Sequence, residues 1–269
     1  MAHHSCCVEK RPINRQTDAP YLSIIIPAYN EETRLPLTLP KVAEFVEAQS
    51  YQAEVLVVDD GSIDRTAEIV TEFATQHPTV RLVRAEHGGK GHAVKIGMLQ
   101  AQGEYAFLCD ADLAMPITEL TKFLPPQLDS YQVAIGSREA KGAVRYHEPA
   151  YRHIMGRVFN WLVKIMAVPG FEDTQCGFKC FHRSVRQDLF SHQTIAGFGF
   201  DVEVLYIAQK RGYRIFEVPI HWYYQTESKV HPVRDTIRMV QDMLTVRRND
   251  RLGLYEPAQK PLDSAASSV

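Results

Sequence analysis

The sequence is poor in cysteine and in net charge, and each shortage excludes a class of protein. Its five cysteines among 269 residues are odd in number and scattered, which argues against a disulfide framework and favours a reducing, cytosolic environment. A formal net charge of −2 gives no bulk electrostatic support for binding nucleic acid. We therefore expect an intracellular protein without a nucleic-acid partner.

Long hydrophobic runs are also missing. No segment approaches the roughly 20 consecutive apolar residues that a membrane-spanning helix needs. Residues 1–20 are polar and lack the apolar core of a secretory signal, and residues 257–269 are similarly poor in apolar residues, so we predict loose tails at both ends. The remaining chain, with 45% hydrophobic residues overall, is long enough to bury one large core.

Short β-rich runs alternate with amphipathic helical patterns through about residue 137. The predicted strands cover residues 22–26, 55–58, 80–84, 105–109 and 132–137, and the predicted helices cover 38–49, 64–76, 91–102 and 118–128. This alternation predicts an α/β fold with a doubly wound sheet through about residue 137. The second half is less regular, with predicted helices at 151–168 and 233–248, a helix within 196–211 that follows residues 200–203 and ends at Lys210, and a strand at 214–219.

Two carboxylates, Asp110 and Asp112, follow the predicted strand 105–109 directly. Residues two apart in an extended chain point the same way, and open α/β sheets bind ligands beyond the carboxyl ends of their strands. Paired carboxylates suit a hard divalent cation, which commonly takes its remaining ligands from phosphates. Because Asp-x-Asp alone also describes a solvated loop, this interpretation depends on the neighbouring strands.

Two earlier strands end in polar loops at the same expected edge of the sheet. The strand 22–26 continues into Pro-Ala-Tyr-Asn-Glu at 27–31, and the strand 55–58 continues into an acidic pair that ends at Asp60. A carboxylate there can accept a hydrogen bond from a uracil imide or a ribose hydroxyl. The alternative is a helix-capping turn, which fits Asp64 better, so we assign ligand binding to Asp60.

Basic residues near this edge complete a candidate anion site. Lys90 lies in a glycine-rich loop, 88–91, that precedes a predicted helix, where backbone N–H groups attract anions. Without a Walker loop or a Gly-x-Gly-x-x-Gly motif, this loop by itself remains either a turn or a phosphate site. Arg138 follows the strand 132–137, and a surface salt bridge is its alternative use.

Taken in order, these motifs resemble the inverting family 2 glycosyltransferases. The residues that carry the resemblance are Pro27-Ala28-Tyr29-Asn30-Glu31, Val58-Asp59-Asp60-Gly61-Ser62, Gly89-Lys90-Gly91 and Asp110-Ala111-Asp112. Segments 173–179, 200–209 and 228–229 further resemble the branch that glycosylates dolichyl or polyprenyl phosphate, with a likeness over roughly residues 22–248. The resemblance implies an α/β, Rossmann-like, type A nucleotide-diphospho-sugar transferase fold, with a mostly parallel mixed sheet flanked by helices. It also implies a catalytic domain at 21–230, followed by an amphipathic helical segment at 231–256.

The resemblance implies a donor site for a UDP-sugar. The residues implied to contact the nucleoside are Pro27, Tyr29, Glu31 and Asp60. Lys90 is implied to lie near the base or the diphosphate, and Asp110 and Asp112 are implied to hold Mg²⁺ or Mn²⁺ on the diphosphate. Asp112 therefore counts among the catalytic residues.

On the acceptor side, the resemblance implies three further catalytic residues. Arg138 and Arg152 match basic residues that meet the acceptor phosphate in related mannosyl enzymes. Asp173, together with Gln175 and Lys179, is implied to line the sugar and acceptor side.

Departures from the mannosyl enzymes favour the glucosyl branch. Those enzymes have Gln two residues after the acidic pair, where this chain has Ala114, and an Arg in the region that is Tyr223-Tyr224-Gln225 here. We also expect this chain to lack the N-terminal membrane anchor of the eukaryotic glucosyl enzymes. Glucose therefore becomes the expected sugar, although nothing in the residues independently excludes another UDP-hexose.

The predicted function is metal-dependent, inverting transfer of a hexose from a UDP-sugar to a polyprenyl, dolichyl-type phosphate. Two alternatives remain: a glycosyltransferase for a soluble hydroxyl acceptor, with Asp173 or Asp201 as general base, and a non-catalytic protein that binds sugar nucleotides. Apolar residues alternate with Arg and Lys in helices 151–168 and 233–248, so these helices either lie on a membrane surface or form an ordinary core pair. We predict a cytoplasmic protein, peripheral at the cytoplasmic face of the membrane.

Overall fold

A computed structural model describes residues 19–225 and 232–256 of the chain. Nearly all of both predicted tails and the Ser228-Lys229 pair lie outside the described residues. The strands are β1 (Leu22–Ala28), β2 (Ala53–Asp60), β3 (Val80–Ala85), β4 (Tyr105–Leu108), β5 (Val133–Ser137), β6 (Val144–Tyr146), β7 (Lys179–His182), β8 (Ile215–Pro219) and β9 (His221–Tyr223). The helices are α1 (Leu35–Glu47), α2 (Thr66–Ala74), α3 (Lys90–Gln100), α4 (Ala150–Met166), α5 (Arg183–His192), α6 (Phe200–Lys210) and α7 (Pro232–Arg251), with a 3₁₀ helix at Ile117–Phe123.

Seven strands form one sheet in the order β3-β2-β1-β4-β7-β5-β8, and β6 pairs with β9 in a separate small sheet. Neighbouring strands of the large sheet run parallel except at β7, which is antiparallel to both β4 and β5. The mixed, mostly parallel sheet flanked by helices is therefore confirmed. Because β2, β1 and β4 are parallel neighbours, their carboxyl ends meet at one edge of the sheet.

The strands of the large sheet are buried because helices cover both faces. In β1, Leu22, Ile24, Ile25 and Ile26 are inaccessible to solvent, which explains the uninterrupted apolar run in the sequence. One core layer lies between the sheet and helices α3, α5 and α6, and the other lies under α1, α2 and the 3₁₀ helix. This burial holds the strand ends rigidly, and with them the loops that follow.

The structure corrects the sequence prediction in several places, and the short strands β6 and β9 are among the elements that were not predicted. Residues 179–182 form β7 and residues 183–192 form α5, although neither element was predicted. The predicted helix 118–128 is a 3₁₀ helix that ends at Phe123, because Pro125 and Pro126 lack the N–H groups that would continue it. In the part of the chain that the structure describes, no helix combines the length and the apolar character required to cross a bilayer.

Candidate active site

A cavity of about 450 Å³ opens at the carboxyl edge of the sheet. Seven of the site residues proposed from the sequence line it, namely Pro27, Tyr29, Glu31, Asp60, Lys90, Asp110 and Asp112. They come from the ends of β1, β2 and β4 and from the glycine loop at the start of α3. The expected meeting of three strand-end loops is therefore present in the structure.

Lys90 and Asp110 form an ion pair within this cavity, with 2.7 Å between Nζ and Oδ1. Burial would raise the pKa of the Asp110 carboxyl, but Lys90, with smaller contributions from Lys179 and Arg138, holds it below its usual value. Burial would lower the pKa of the Lys90 ammonium group, but the charges of Asp110 and Asp201 raise it. Both groups are therefore charged at neutral pH, and the glycine loop is attached to the end of β4.

Among the described residues, no cation forms an ion pair with the side chain of Asp112. Its Oδ1 accepts a hydrogen bond of 3.0 Å from the Ala114 N–H, and its pKa is raised by burial and by the charge of Asp110. The pair of carboxylates thus holds more negative charge than Lys90 compensates. An added cation would relieve this repulsion, because two hard oxygen ligands facing a cavity suit Mg²⁺ or Mn²⁺.

The protein would supply only part of the shell of such a cation. Within residues 19–225 and 232–256, no group of three or more His, Cys, Asp or Glu side chains is arranged to hold a metal ion. Two carboxylates with the other positions left to diphosphate and water match the way Mg²⁺ is usually bound beside phosphates. The residues present therefore fit a cation that arrives with a nucleotide.

Asp60 is hydrogen-bonded to the backbone of the glycine loop. Its buried carboxylate accepts hydrogen bonds from the backbone N–H groups of Gly88 and Gly89, at 3.0 and 2.8 Å. The Nδ1 atoms of His87 and His92 lie 2.8 and 3.3 Å from its oxygens. Four nitrogen atoms thus surround the Asp60 carboxylate, two of them backbone donors, so its first role in this structure is to shape the loop that carries Lys90, and a contact with nucleoside remains a prediction.

Several residues that line the cavity were not anticipated from the sequence, among them Arg34, His87 and Phe198. The ring of His87 stacks on Tyr29 with 4.2 Å between the ring centroids, which gives the cavity an aromatic wall. The position of His87 next to the glycine loop was a usable signal. Phe198, by contrast, lies more than 100 residues after the glycine loop in the sequence, and only the fold brings it to Lys90.

Arg138 and Asp173 are paired with each other. Arg138 donates to the Asp173 carboxylate from Nε at 2.7 Å and from an Nη at 2.9 Å, and its backbone N–H donates as well. Burial would raise the pKa of Asp173, but Arg138 holds it at about 2. A carboxylate this weakly basic is poorly suited to the general-base role that the hydroxyl-acceptor alternative gives it.

None of the predicted residues of the acceptor side, Arg138 and Asp173 included, lines the cavity. Arg152 donates to the hydroxyl of Tyr224 at 3.2 Å and lies over its ring. Lys179 is buried and forms an ion pair of 2.8 Å with Asp201, so its ammonium group is committed inside the protein. The side-chain amide nitrogen of Gln175 is buried and has no hydrogen-bond partner among the residues that the structure describes. Substrate contacts of these residues stay predictions.

The comparisons with other proteins agree with this geometry. The model of the family described as glycosyl transferase family 2 matches residues 23–193, more than half of the chain. The chain is 34% identical over 261 residues to the dolichyl-phosphate beta-glucosyltransferase of Dictyostelium discoideum, covering 92% of this chain and 79% of the relative. The human dolichyl-phosphate beta-glucosyltransferase is 32% identical over 253 residues, covering 88% of this chain and 78% of the relative.

Solved structures share the fold at lower identity. Mannosyl-3-phosphoglycerate synthase from Rubrobacter xylanophilus has a TM-score of 0.62 at 17% identity, covering 90% of this chain and 78% of that one. Glucosyl-3-phosphoglycerate synthase from Mycobacterium tuberculosis, in complex with Mn²⁺ and UDP-glucose, has a TM-score of 0.59 at 17% identity, covering 89% and 81%. The type A glycosyltransferase fold is thereby confirmed, and with the matched family and the relatives it makes the chain an enzyme of this class: the protein belongs to glycosyl transferase family 2.

Proposed function

We propose that the protein transfers a hexose, with glucose as the first candidate, from a UDP-sugar to a dolichyl-type polyprenyl phosphate. The observation that carries this proposal is the pair Asp110 and Asp112, which faces Lys90 in one cavity at the carboxyl edge of the sheet. The names of the relatives support the acceptor and the sugar, because they act on dolichyl phosphate and transfer glucose.

The donor and the metal are supported by the carboxylates and by the complexes of proteins that share the fold. A structure of the mycobacterial synthase holds Mn²⁺ and UDP-glucose, and another holds Mg²⁺ and UDP. In this chain Asp110 and Asp112 would hold the cation. When bound, Mg²⁺ or Mn²⁺ neutralises the negative charge that develops on the departing diphosphate. Lys90 adds a fixed positive charge at the same place and positions the diphosphate.

The acceptor in this proposal needs no separate base. A phosphate monoester has its second pKa near ~6, so it is largely a dianion at neutral pH. One of its oxygens attacks the anomeric carbon from the face opposite the UDP, which leaves with the electron pair of the broken bond and inverts that carbon. Arg138 and Arg152 would orient the phosphate, and their cation–π contacts with Trp222 and Tyr224 limit their motion.

The surface of α4 supports contact with a membrane. One face of this helix exposes a continuous series of large apolar side chains, namely Tyr151, Ile154, Met155, Val158, Trp161 and Ile165. Their spacing follows the helical repeat, whereas Val163 on the opposite face is fully buried in the core. An apolar face of this length is unusual on a monomeric soluble protein and fits the acyl boundary of a bilayer.

Helix α7, which packs against α4, also carries exposed apolar side chains. Ile237 and Leu244 of α7 are exposed, and the last turn of this helix carries Arg248 and Arg251, which would attract anionic lipid headgroups. This arrangement would bring the protein to the membrane in which a polyprenyl phosphate is anchored. We propose the cytoplasmic face, and the free thiols of Cys109, Cys176 and Cys180 support it.

The reaction is tested with purified protein, UDP-glucose, Mn²⁺ or Mg²⁺ and short polyprenyl phosphates, with the lipid product identified by mass. We expect a glucosyl phosphate lipid, and we expect Asp112→Asn to lose at least about a hundredfold in rate. This variant should remain folded, because the side-chain oxygen of an asparagine can still accept the hydrogen bond from the Ala114 N–H. Turnover only with a soluble hydroxyl acceptor would support the alternative enzyme, and binding of UDP without turnover would support a non-catalytic protein.

The membrane contact is tested separately by sedimentation with vesicles of neutral lipid and of neutral lipid mixed with anionic lipid. We expect binding that is stronger on the anionic vesicles and weakens with salt. No sedimentation with either vesicle, in the presence or absence of acceptor lipid, would contradict the membrane proposal and leave the transfer reaction untouched.

A further inference from the structure

Glu203 lies in the first turn of α6 and is completely inaccessible to solvent. Its Oε2 accepts hydrogen bonds from the backbone N–H groups of Thr194 and Ile195, at 2.9 and 2.8 Å. Its Oε1 accepts from the hydroxyls of Thr194 and Tyr255, both at 2.6 Å. A buried carboxylate with four donors is costly to maintain unless all four are held in place, so it ties together the elements that supply them.

Two of the elements joined at Glu203 are far apart in the sequence. Tyr255 follows the end of α7, and Asn249 of α7 donates to the hydroxyls of both Thr194 and Tyr255. Two turns earlier in α7, Asp242 accepts a hydrogen bond from the Gly199 N–H. A β-carbon at Gly199 would fall 2.3 Å from an oxygen of Asp242, so this contact is close. The C-terminal helix therefore holds the segment 194–199 at both ends.

The segment 194–199 in turn supports the glycine loop that carries Lys90. The carbonyl of Ala196 accepts a hydrogen bond of 3.1 Å from the His92 N–H. A β-carbon at Gly89 would lie 2.7 Å from the same carbonyl oxygen, and one at Gly91 would lie 2.7 Å from the carbonyl oxygen of Ile195. The two backbones are thus in direct contact on both sides of Lys90. Phe198, at the tip of this segment, lines the cavity.

We infer that Glu203 and Tyr255 are positioning residues for the donor site. They fix the segment 194–199 against the glycine loop, and through it they place Lys90 at the diphosphate. The inference rests on the proposed function in taking the cavity as the site of a nucleoside diphosphate. It also implies that α7, which belongs to the proposed membrane surface, affects the affinity of the donor site through the segment 194–199.

The test compares two tyrosine variants of the full chain. Tyr255→Phe removes the hydroxyl that donates to Glu203, whereas Tyr213→Phe removes a hydroxyl that donates to Asp188 of α5 at 2.8 Å. Both variants lose one hydrogen bond to a carboxylate. If Tyr255 had a purely structural role, the two variants would therefore show similar changes in UDP affinity and in amide exchange. Affinity for UDP with Mn²⁺ is measured by calorimetry, and amide exchange is measured for the peptide that contains residues 88–92.

We expect Tyr255→Phe to weaken UDP binding about fivefold and to accelerate exchange in 88–92, while Tyr213→Phe changes neither. A second pair of variants changes Thr194. Thr194→Val removes the hydroxyl that donates to Glu203 and should behave like Tyr255→Phe, whereas Thr194→Ser keeps a hydroxyl and should behave like the wild type. Equal affinity and equal exchange in the two tyrosine variants would overturn the inference. If the wild-type protein itself fails to bind UDP, the proposed donor is wrong, and the exchange comparison still decides whether α7 supports the glycine loop.

Discussion

Gly177 lies directly against the carboxylate of Asp110, since a β-carbon built at Gly177 falls 1.9 Å from Oδ2. The glycine belongs to the segment between the Asp173 loop and β7, and Asp110 follows β4. This segment reaches Asp110 because β7 pairs with β4 in the sheet. The missing side chain at Gly177 therefore leaves Asp110 the space in which it meets Lys90.

Gly177→Ala is expected to disable the donor site. An added methyl group must displace the Asp110 carboxylate, which separates it from Lys90 and from the cation. We expect at least about a tenfold loss of Mn²⁺-dependent UDP affinity, as calorimetry would measure it. Gly156→Ala is the matched control, because a β-carbon at this helical position would have no described atom within 4 Å beyond its chain neighbours and the backbone of its own helix. This control should keep its UDP affinity and gain about 1 kcal/mol in the free energy of unfolding.

The ion pair between Arg138 and Asp173 predicts a pH dependence of stability. The pKa of Asp173 is about 2 in the folded protein, below its ordinary value of 3.8. Its stabilising contribution is therefore complete above about pH 4 and is lost as the pH falls towards 2. By linkage this amounts to about 2 kcal/mol, which urea unfolding at a series of pH values would detect.

The variant Asp173→Asn should remove that part of the pH dependence. At neutral pH it leaves the Arg138 guanidinium without its carboxylate, so we expect a loss of about 3 kcal/mol in the free energy of unfolding. A variant that retains the wild-type slope between pH 4 and pH 2 would show that other carboxylates produce it.

Lys179 is predicted to stabilise the protein through Asp201 rather than through substrate. Its side chain is 1% exposed and pairs with a carboxylate that is 7% exposed, so removal of either partner leaves a buried charge. Lys179→Met should cost about 3–5 kcal/mol in the free energy of unfolding, and the double variant Lys179→Met with Asp201→Asn should recover part of it. A folded Lys179→Met protein with wild-type stability but no turnover would instead assign Lys179 to the substrate.

The apolar face of α4 is predicted to be dispensable for folding and required for vesicle binding. Val158 is exposed, so Val158→Glu should change the free energy of unfolding by no more than about 0.5 kcal/mol. The same change places a charge at the proposed lipid boundary and should abolish sedimentation with vesicles. Leu37→Glu is the control, since Leu37 of α1 is 68% exposed and lies outside the α4 face. Equal sedimentation of both variants would contradict the proposed surface.

Much of the donor side follows from the sequence because its signals are local. Asp60 and Asp110 each come directly after a buried run, and parallel strands bring such ends together whatever the details of packing. Their partners are less predictable. Asp60 was expected to face a nucleoside, but the structure first uses its oxygens for Gly88 and Gly89, since a buried carboxylate must satisfy its lone pairs with the nearest donors.

The class of fold and the sheet edge at which the candidate site lies follow from the amino-acid sequence, because periodicity and strand-end residues act over short distances along the chain. Which residues meet across long separations depends on the packing of the folded chain. This packing inserts β7 between β4 and β5, places Gly177 against Asp110, and pairs Lys179 with Asp201. These contacts depend on how helices and strands pack in three dimensions, and a short antiparallel strand such as β7 carries too few residues for its hydrophobic pattern to reveal it.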